Sequence, residues 1–334
     1  QGTSEFGREV GFRVKDCFFA PKYRPAISSV HRNTKDYHYL RDMTDKLTKQ
    51  LFLLLAAGLP LASHASPPET GPQPIPLYGE NTPAESNGMS REGVTLTADI
   101  LTGAADADYF LLKPDPDKTT GMAVVICPGG GYGCTCYGYE GLGPAEWLRE
   151  QGILAVVLRY RVPNGHGSIP LADAEQALRT VRSHATEWGV DPSRIGVMGF
   201  SAGGIQAGEF LMHYDEDVNG TALDESYVPD ALDAVPAHAS AAGMIYSFYG
   251  RLSVGNMDPD WLAEGDLPPT FYVYGTEDPF YRQFQQQYDV IRNMGISTGR
   301  IVLNGWPHGF GSDGGWVNDY AAWLESVFAN KEEF

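Results

Sequence analysis

The sequence predicts an α/β protein with a mostly parallel central sheet and helices on both faces. Short, continuous apolar runs recur along the chain, as in strands covered on both sides. They alternate with helix-like segments in units of about thirty residues, the rhythm of strand–helix–strand crossovers. No repeat of about 20–50 residues is present, which sets aside solenoids and propellers. With 334 residues, 43% of them hydrophobic, the chain can bury a sizeable core.

The N-terminal part reads differently from the rest. Residues 1–42 show no clear periodicity and are read as a leader or appended segment, outside the fold. Met43 then opens a basic stretch with Lys46 and Lys49. "LFLLLAAGLPL" (51–61) follows as an apolar run, and Ser63-His64-Ala65 ends it in a small-x-small pattern. This is the layout of a secretory signal peptide over 43–65, with cleavage near Ala65. Eleven apolar residues are too few to span a bilayer. A buried helix would leave the basic flank and the cleavage-like end without a reason. The expectation is a secreted or periplasmic protein whose working domain is 66–334.

A Pro-rich lead-in, "SPPETGPQPIPLYGENTPAES", precedes two short strand-like runs, "VTLTADI" (94–100) and "DYFLLKP" (108–114). "MAVVIC" (122–127) is a buried strand, "GPAEWLREQG" (143–152) a helix closed by Gly152, and "ILAVVLRY" (153–160) the next buried strand. Leu171, Ala174, Leu178, Val181, Ala185 and Trp188 fall on one stripe of a helix over 171–188. "RIGVMGF" (194–200) is a strand and 202–213 a helix. Residues 214–240 are polar and irregular; lacking an apolar face, they read as a long surface connection rather than a lid. Strands are expected at 241–249, 270–275 and 300–305, and helices at 281–294 and 315–328.

Charge narrows the partners. The chain has 42 acidic and 24 basic residues, and from Ser66 onward its lysines are Lys113, Lys118 and Lys331. Such a surface repels nucleic acid and anionic membrane, so neither is expected as a partner once the signal segment is removed. Nothing in the sequence specifies an oligomeric state. Cys127, Cys134 and Cys136 remain after cleavage, an odd number far below the density of a disulfide scaffold.

Chemistry enters at "GFSAGG" (199–204). Gly199, Ser201 and Gly203 form G-x-S-x-G between a strand and a helix. A serine at such a bend projects its hydroxyl above the sheet. On the motif alone, a helix N-cap serine is an equal reading. A serine nucleophile needs a base, and the base an orienting acid. Both follow in the order Ser, acid, His. Glu277 and Asp278 lie in the loop after the 270–275 strand, and His308 lies in "NGWPHGFG" after the next. Asp278 is preferred over Glu277 because the Asp-Pro turn fixes its direction. His166, in "NGHGS", precedes the serine and reads as a surface-turn residue. His184, His213 and His238 fall on helices or in the polar segment.

"CPGGGYGCTC" (127–136) must then be explained. No lysine with a following Ser/Thr completes a phosphate-binding P-loop. The dinucleotide pattern fails at Cys134, and Cys134-x-Cys136 lacks further ligands for zinc. No cofactor and no metal are expected. Acyl transfer by Ser201 instead demands backbone donors for an oxyanion. Ala202, after the nucleophile, supplies one, and Gly130 and Gly131 are placed to supply another. Tyr132 and Trp306 flank these loops as candidate substrate-binding aromatics.

Together, "VVICPGGGYG", "EWGVDPSRIGVMGFSAGG", "PPTFYVYGTEDP" and "HGFG" resemble the α/β-hydrolase superfamily. They resemble most its secreted bacterial acetyl xylan esterase and related carbohydrate-esterase branch, from about residue 74 to 328. The resemblance implies a Ser201–His308–Asp278 triad, an oxyanion hole at Gly130, Gly131 and Ala202, and no cofactor. It implies hydrolysis of short acyl esters, acetyl foremost, on polysaccharide or oligosaccharide substrates. Feruloyl esterase, lactonase or peptidase activity on the same triad, or a carbohydrate-binding relative without chemistry, are the alternatives. Two departures stand out: Pro128 replaces the histidine of lipase-type loops, and 246–268 reads as short and polar.

Overall fold

The structure, a computed structural model, describes residues 72–79, 87, 94–213, 227–251 and 254–329. The signal-peptide reading of 43–65, the segment 1–42 and residues 214–226 lie outside the described residues.

The apolar runs at 122–127, 153–160, 194–200 and 270–275 form the strands they predict, because each is buried on both faces and needs neighbours for its backbone N–H and C=O groups. The strands are β1 (Ile75–Pro76), β2 (Asp108–Leu112), β3 (Ala123–Cys127), β4 (Leu154–Arg159), β5 (Ile195–Phe200), β6 (Ala242–Ile245), β7 (Thr270–Gly275) and β8 (Thr298–Leu303). They make one sheet in the order β1-β2-β4-β3-β5-β6-β7-β8. β2 pairs antiparallel with β1 and β4. From β4 to β8 every pairing is parallel. Strands β3 to β7 are buried throughout, and β8 alternates as an edge strand should.

Helices cover both faces: α1 (Gly143–Glu150), α2 (Ser168–Ser183), α3 (Ala202–His213), α4 (Tyr281–Asn293) and α5 (Trp316–Ala329). α1 packs against α5, and α2 against α3. Each fully buried Val, Leu, Ile or Phe on these elements contributes about 1.5–3 kcal/mol, so the sheet core dominates stability.

Four expectations are corrected. The 94–100 strand is two residues long, Thr95–Leu96; it turns because the Thr97 hydroxyl accepts the Ile100 N–H at 2.9 Å, a local bond that competes with a ladder. The 241–249 strand ends at Ile245, since Tyr246 takes φ +37 and the chain leaves the sheet. The 171–188 helix breaks at His184, whose Nδ1 sits 2.9 Å from the Thr180 carbonyl; Ala185–Trp188 forms a separate turn. Last, 246–268 is not wholly a polar wall, because Tyr246, Phe248 and Tyr249 are buried. Buried Gln287 of α4 holds that segment, accepting the Tyr249 N–H and donating to the Tyr249 and Asn256 carbonyls.

The described part of the irregular segment, 227–240, lies along α2. Arg182 donates to the Pro236 carbonyl and, at 2.7 Å, to the His238 carbonyl, while Arg179 reaches the Val235 carbonyl at 3.2 Å. Helix α2 is buried on more than its apolar stripe, with Asp173, Glu175 and Gln176 also inside.

Candidate active site

Parallel strands point their C-terminal ends the same way, and ligands of open α/β sheets gather there. β3 leads into the glycine loop, β5 into Ser201, β7 into Asp278 and β8 into the His308 loop.

Ser201 stands between β5 and α3 with φ +48, a strained conformation for a residue with a side chain. The turn is held by the Ser201 N–H on the Ile245 carbonyl at 3.1 Å and by the Ser247 hydroxyl on the Ser201 carbonyl at 2.7 Å. The two motif glycines are steric necessities. A Cβ on Gly199 would collide with the backbone of Gly203 and Gly204, and one on Gly203 with the Cys127 and Pro128 carbonyl oxygens.

The structure brings Ser201, His308 and Asp278 together. His308 Nε2 lies 2.8 Å from Ser201 Oγ, and His308 Nδ1 lies 2.7 Å from Asp278 Oδ2. The other Asp278 oxygen accepts the Phe280 N–H at 2.8 Å, so the Asp-Pro turn aims the carboxylate. Glu277 is exposed. Burial of the His308 ring disfavours its charge. The charge and hydrogen bond of Asp278, with the carboxylate of Glu140, outweigh that and hold His308 above the ordinary imidazole range. His166 is an exposed turn residue.

The glycine loop lies against this serine: a Cβ on Gly129 would come 2.9 Å from Ser201 Cβ. The carbonyls of Pro128, Gly129 and Gly130 are bonded within the protein. Pro128 O accepts the Tyr160 hydroxyl at 2.8 Å, and Gly129 O the Cys136 N–H at 2.9 Å. Gly130 O accepts the N–H groups of Gly133 and Cys134 and the Cys134 thiol at 3.4 Å. In a trans peptide the next N–H points opposite to the carbonyl. The N–H groups of Gly130 and Gly131 therefore face away from the segment that holds the loop. Likewise the Ser201 carbonyl is taken by Ser247 and by the N–H groups of Gly204 and Ile205, which turns the Ala202 N–H the other way at the start of α3. The cysteines thus have a structural part: Cys134 and Cys136 fasten the loop, and Cys127 is a buried strand residue whose thiol is pushed up to about 12 by desolvation.

Tyr132 follows in the same loop at φ +64, and burial raises its phenol pKa. Trp306 packs edge-on against Phe310 at 5.9 Å. Both are partly buried. Among the described residues no group of three or more His, Cys, Asp or Glu is arranged to hold a metal ion.

Sequence reasoning missed Glu140 and Tyr246. Glu140 is buried behind the glycine loop, and the Tyr246 ring stands edge-on to His308 with centroids 4.8 Å apart. A glutamate in "GYEGL" carries no motif, and Tyr246 reads as one more residue of a strand.

Residues 144–312 match the model of a family described by the alpha/beta hydrolase fold. The chain belongs to this family. It is 30% identical over 237 residues to an acetylxylan esterase of Xylanibacter ruminicola, covering 65% of this chain and 48% of that one. It is 31% identical over 123 residues to a chlorogenic acid esterase of Aspergillus niger, covering 33% of this chain and 24% of that one. The chain thus spans about half or less of the length of the curated relatives it matches. Among solved structures, an acetyl ester-xyloside bifunctional hydrolase from Caldicellulosiruptor lactoaceticus superposes with a TM-score of 0.57 at 25% identity. That match covers 79% of this chain and 98% of the hydrolase. As an α/β hydrolase, the chain carries its G-x-S-x-G serine at the bend after β5, at the C-terminal end of the parallel strands. No helix of the described residues is long and apolar enough to cross a membrane.

Proposed function

We propose that this α/β hydrolase is a secreted serine carboxylesterase that removes short acyl groups, acetyl foremost, from polysaccharide or oligosaccharide esters. The observation that carries the reading is the unbroken hydrogen-bonded chain from Ser201 Oγ through His308 to buried Asp278. Similarity to an acetylxylan esterase over 65% of the chain supports the ester and the acetyl group.

In this reading Ser201 Oγ attacks the ester carbonyl carbon while its proton passes to His308 Nε2. Asp278 holds the proton of Nδ1 and stabilises the imidazolium. The oxyanion is received by the N–H groups of Gly130, Gly131 and Ala202. His308 then protonates the leaving alcohol oxygen, leaving an acyl-Ser201 ester. Water, deprotonated by His308, attacks that ester, and the imidazolium returns the proton to Ser201 Oγ as the acid is released. Tyr132 and Trp306 border the loops as surfaces on which a sugar can stack. The chemistry needs no cofactor. Export rests on the signal-like segment 43–65.

A feruloyl-type esterase is the second reading, favoured by the similarity to a chlorogenic acid esterase. Turnover of p-nitrophenyl acetate, a feruloyl ester and a peptide, measured side by side, separates them. Acetate is expected to be the best of the three, and acetate as the poorest would refute the acetyl reading. A fluorophosphonate probe is expected to label Ser201. Absence of that adduct would favour a carbohydrate-binding relative without chemistry.

A further inference from the structure

Glu140 is a buried carboxylate to which the triad chemistry gives no part. It lies on a five-residue π-helical turn, Gly138–Leu142, of the kind that recurs near functional sites. Its two oxygens serve different loops. Oε2 accepts the Gly129 N–H at 2.7 Å, and Oε1 accepts the Tyr246 hydroxyl at 2.6 Å. Gly129 begins the run that contains Gly130 and Gly131. The Tyr246 oxygen in turn accepts the Gly311 N–H at 3.2 Å, from the loop that carries His308. The Tyr246 ring packs edge-on against both His308 and Phe310, with centroids 4.8 and 4.6 Å away. One carboxylate therefore joins the glycine loop, the bend after β6 and the histidine loop.

The donors also indicate its charge state. Gly129 N–H can only donate, and Tyr246 already accepts from Gly311, so its hydroxyl hydrogen goes to Glu140. An ionised carboxylate completes this set without an unpaired atom. Burial works against the charge and raises the Glu140 pKa, while the Tyr246 hydroxyl, His308 and the Gly129 N–H work for it. Tyr246 is held at φ +37, a strained conformation that persists only where the surroundings over-determine it. Its hydroxyl contacts with Glu140 and Gly311 supply that constraint.

We propose that Glu140 is a positioning residue for ester hydrolysis: through Gly129 it fixes the loop that presents the oxyanion donors, and through Tyr246 it fixes the ring against which His308 stands. This rests on the reading of Ser201, His308 and Asp278 as the triad. Its charge also favours the imidazolium that forms when Ser201 gives up its proton. Asp278, Glu140 and the Tyr246 phenol are the titratable groups facing His308 among the described residues.

The test compares Glu140→Gln, Tyr246→Phe and Ser201→Ala with the unaltered protein, using p-nitrophenyl acetate kinetics across pH and a thermal melt. Glutamine keeps the volume, and its oxygen can accept the Gly129 N–H; its amide nitrogen then faces the Tyr246 oxygen, so the charge is removed and the Tyr246 hydroxyl loses its acceptor. Glu140→Gln is expected to lower kcat about tenfold, less than the ~100-fold typical of deleting an oxyanion donor, with KM within about twofold. The acid limb of kcat/KM should also move to lower pH, because one of the two carboxylates that favour the imidazolium is gone. Tyr246→Phe leaves the Glu140 charge, and is expected to lower kcat several-fold at unchanged KM.

A folded Glu140→Gln protein with kcat within about twofold and an unmoved limb would overturn the proposal. So would a loss of kcat with a lower melting temperature and no movement of the limb, which is the mark of a merely structural role. If Glu140→Gln does not fold, Tyr246→Phe decides: a kcat within about twofold overturns it. Ser201→Ala separates the two levels. Near-native turnover there would remove the triad reading and this proposal with it. Loss of turnover there beside a silent Glu140→Gln would remove only this proposal.

Discussion

Asp278 places one carboxylate oxygen 2.7 Å from His308 Nδ1 and the other 2.8 Å from the Phe280 N–H. The second contact makes the first directional. In Asp278→Asn, the amide oxygen will take the Phe280 N–H, since the amide nitrogen cannot accept it. The amide nitrogen then faces Nδ1 and forces the imidazole proton onto Nε2. There it points at Ser201 as a donor, where an acceptor is needed. Asp278→Asn should therefore lower kcat on p-nitrophenyl acetate by about 10³–10⁴ with little loss of stability. A loss below tenfold would mean that His308 is oriented by something else.

The acid side of the pH profile is set by the same pair. Burial alone would lower the His308 pKa, but Asp278 and Glu140 raise it above its ordinary value of about 6.5. His308 acts as a base only when neutral. A raised pKa keeps it protonated to higher pH, so kcat/KM should fall as pH drops through a midpoint above that of a free imidazole. Measuring kcat/KM against pH checks this, and a midpoint below 6.5 contradicts it.

Much of this site can be read in the sequence, for a physical reason. Ser201 and Asp278 each come after a buried apolar strand and His308 after the partly exposed edge strand β8, and parallel strands deliver the loops at their C-terminal ends to one edge of the sheet. Gly130 is recognisable because a run of three glycines needs an explanation. Glu140 and Tyr246 give no such sign. Their roles depend on contacts across 106 residues of sequence, and on a bend that cuts the apolar run 241–249 after Ile245. Continuous apolar runs reveal that a segment is buried but not where its backbone changes direction. The same holds for α2, whose Arg179 and Arg182 are tied to the distant segment 227–240 and whose Asp173 is tied to Arg161 and Tyr78.

Gly130 offers a direct test of the loop. Its φ is +136, and a Cβ there would run into the carbonyl of Cys134, the residue whose N–H closes the turn on Gly130 O. Gly130→Ala must displace either the loop or Cys134, and with it the N–H groups of residues 130 and 131. The expected outcome is a fall in kcat of about 10²–10³ with a smaller change in KM, as for removal of an oxyanion donor. Steady-state kinetics of the purified variant, with a thermal melt to establish folding, will measure it. A folded Gly130→Ala protein with near-native kcat would exclude this loop from the reaction.

Away from the site, Asp173 on α2 is the centre of a buried polar cluster. Its carboxylate accepts the Arg161 backbone N–H at 2.8 Å, the Arg161 guanidinium at 2.6 Å and the Tyr78 hydroxyl at 2.8 Å. The Arg161 and Asp173 side chains are 2% and 0% exposed. Removing one partner of such a pair leaves the other charge buried, and typically costs about 3–5 kcal/mol. Asp173→Ala should lose stability on that scale in urea denaturation. Its kcat should stay within about twofold at temperatures where it remains folded, since Asp173 has no bond to the triad or the glycine loop. Asp173→Asn should fall between the two, because the amide oxygen still accepts while the charge is gone. A loss under about 1 kcal/mol for Asp173→Ala would mean that Arg161 finds water or a new partner when Asp173 is removed.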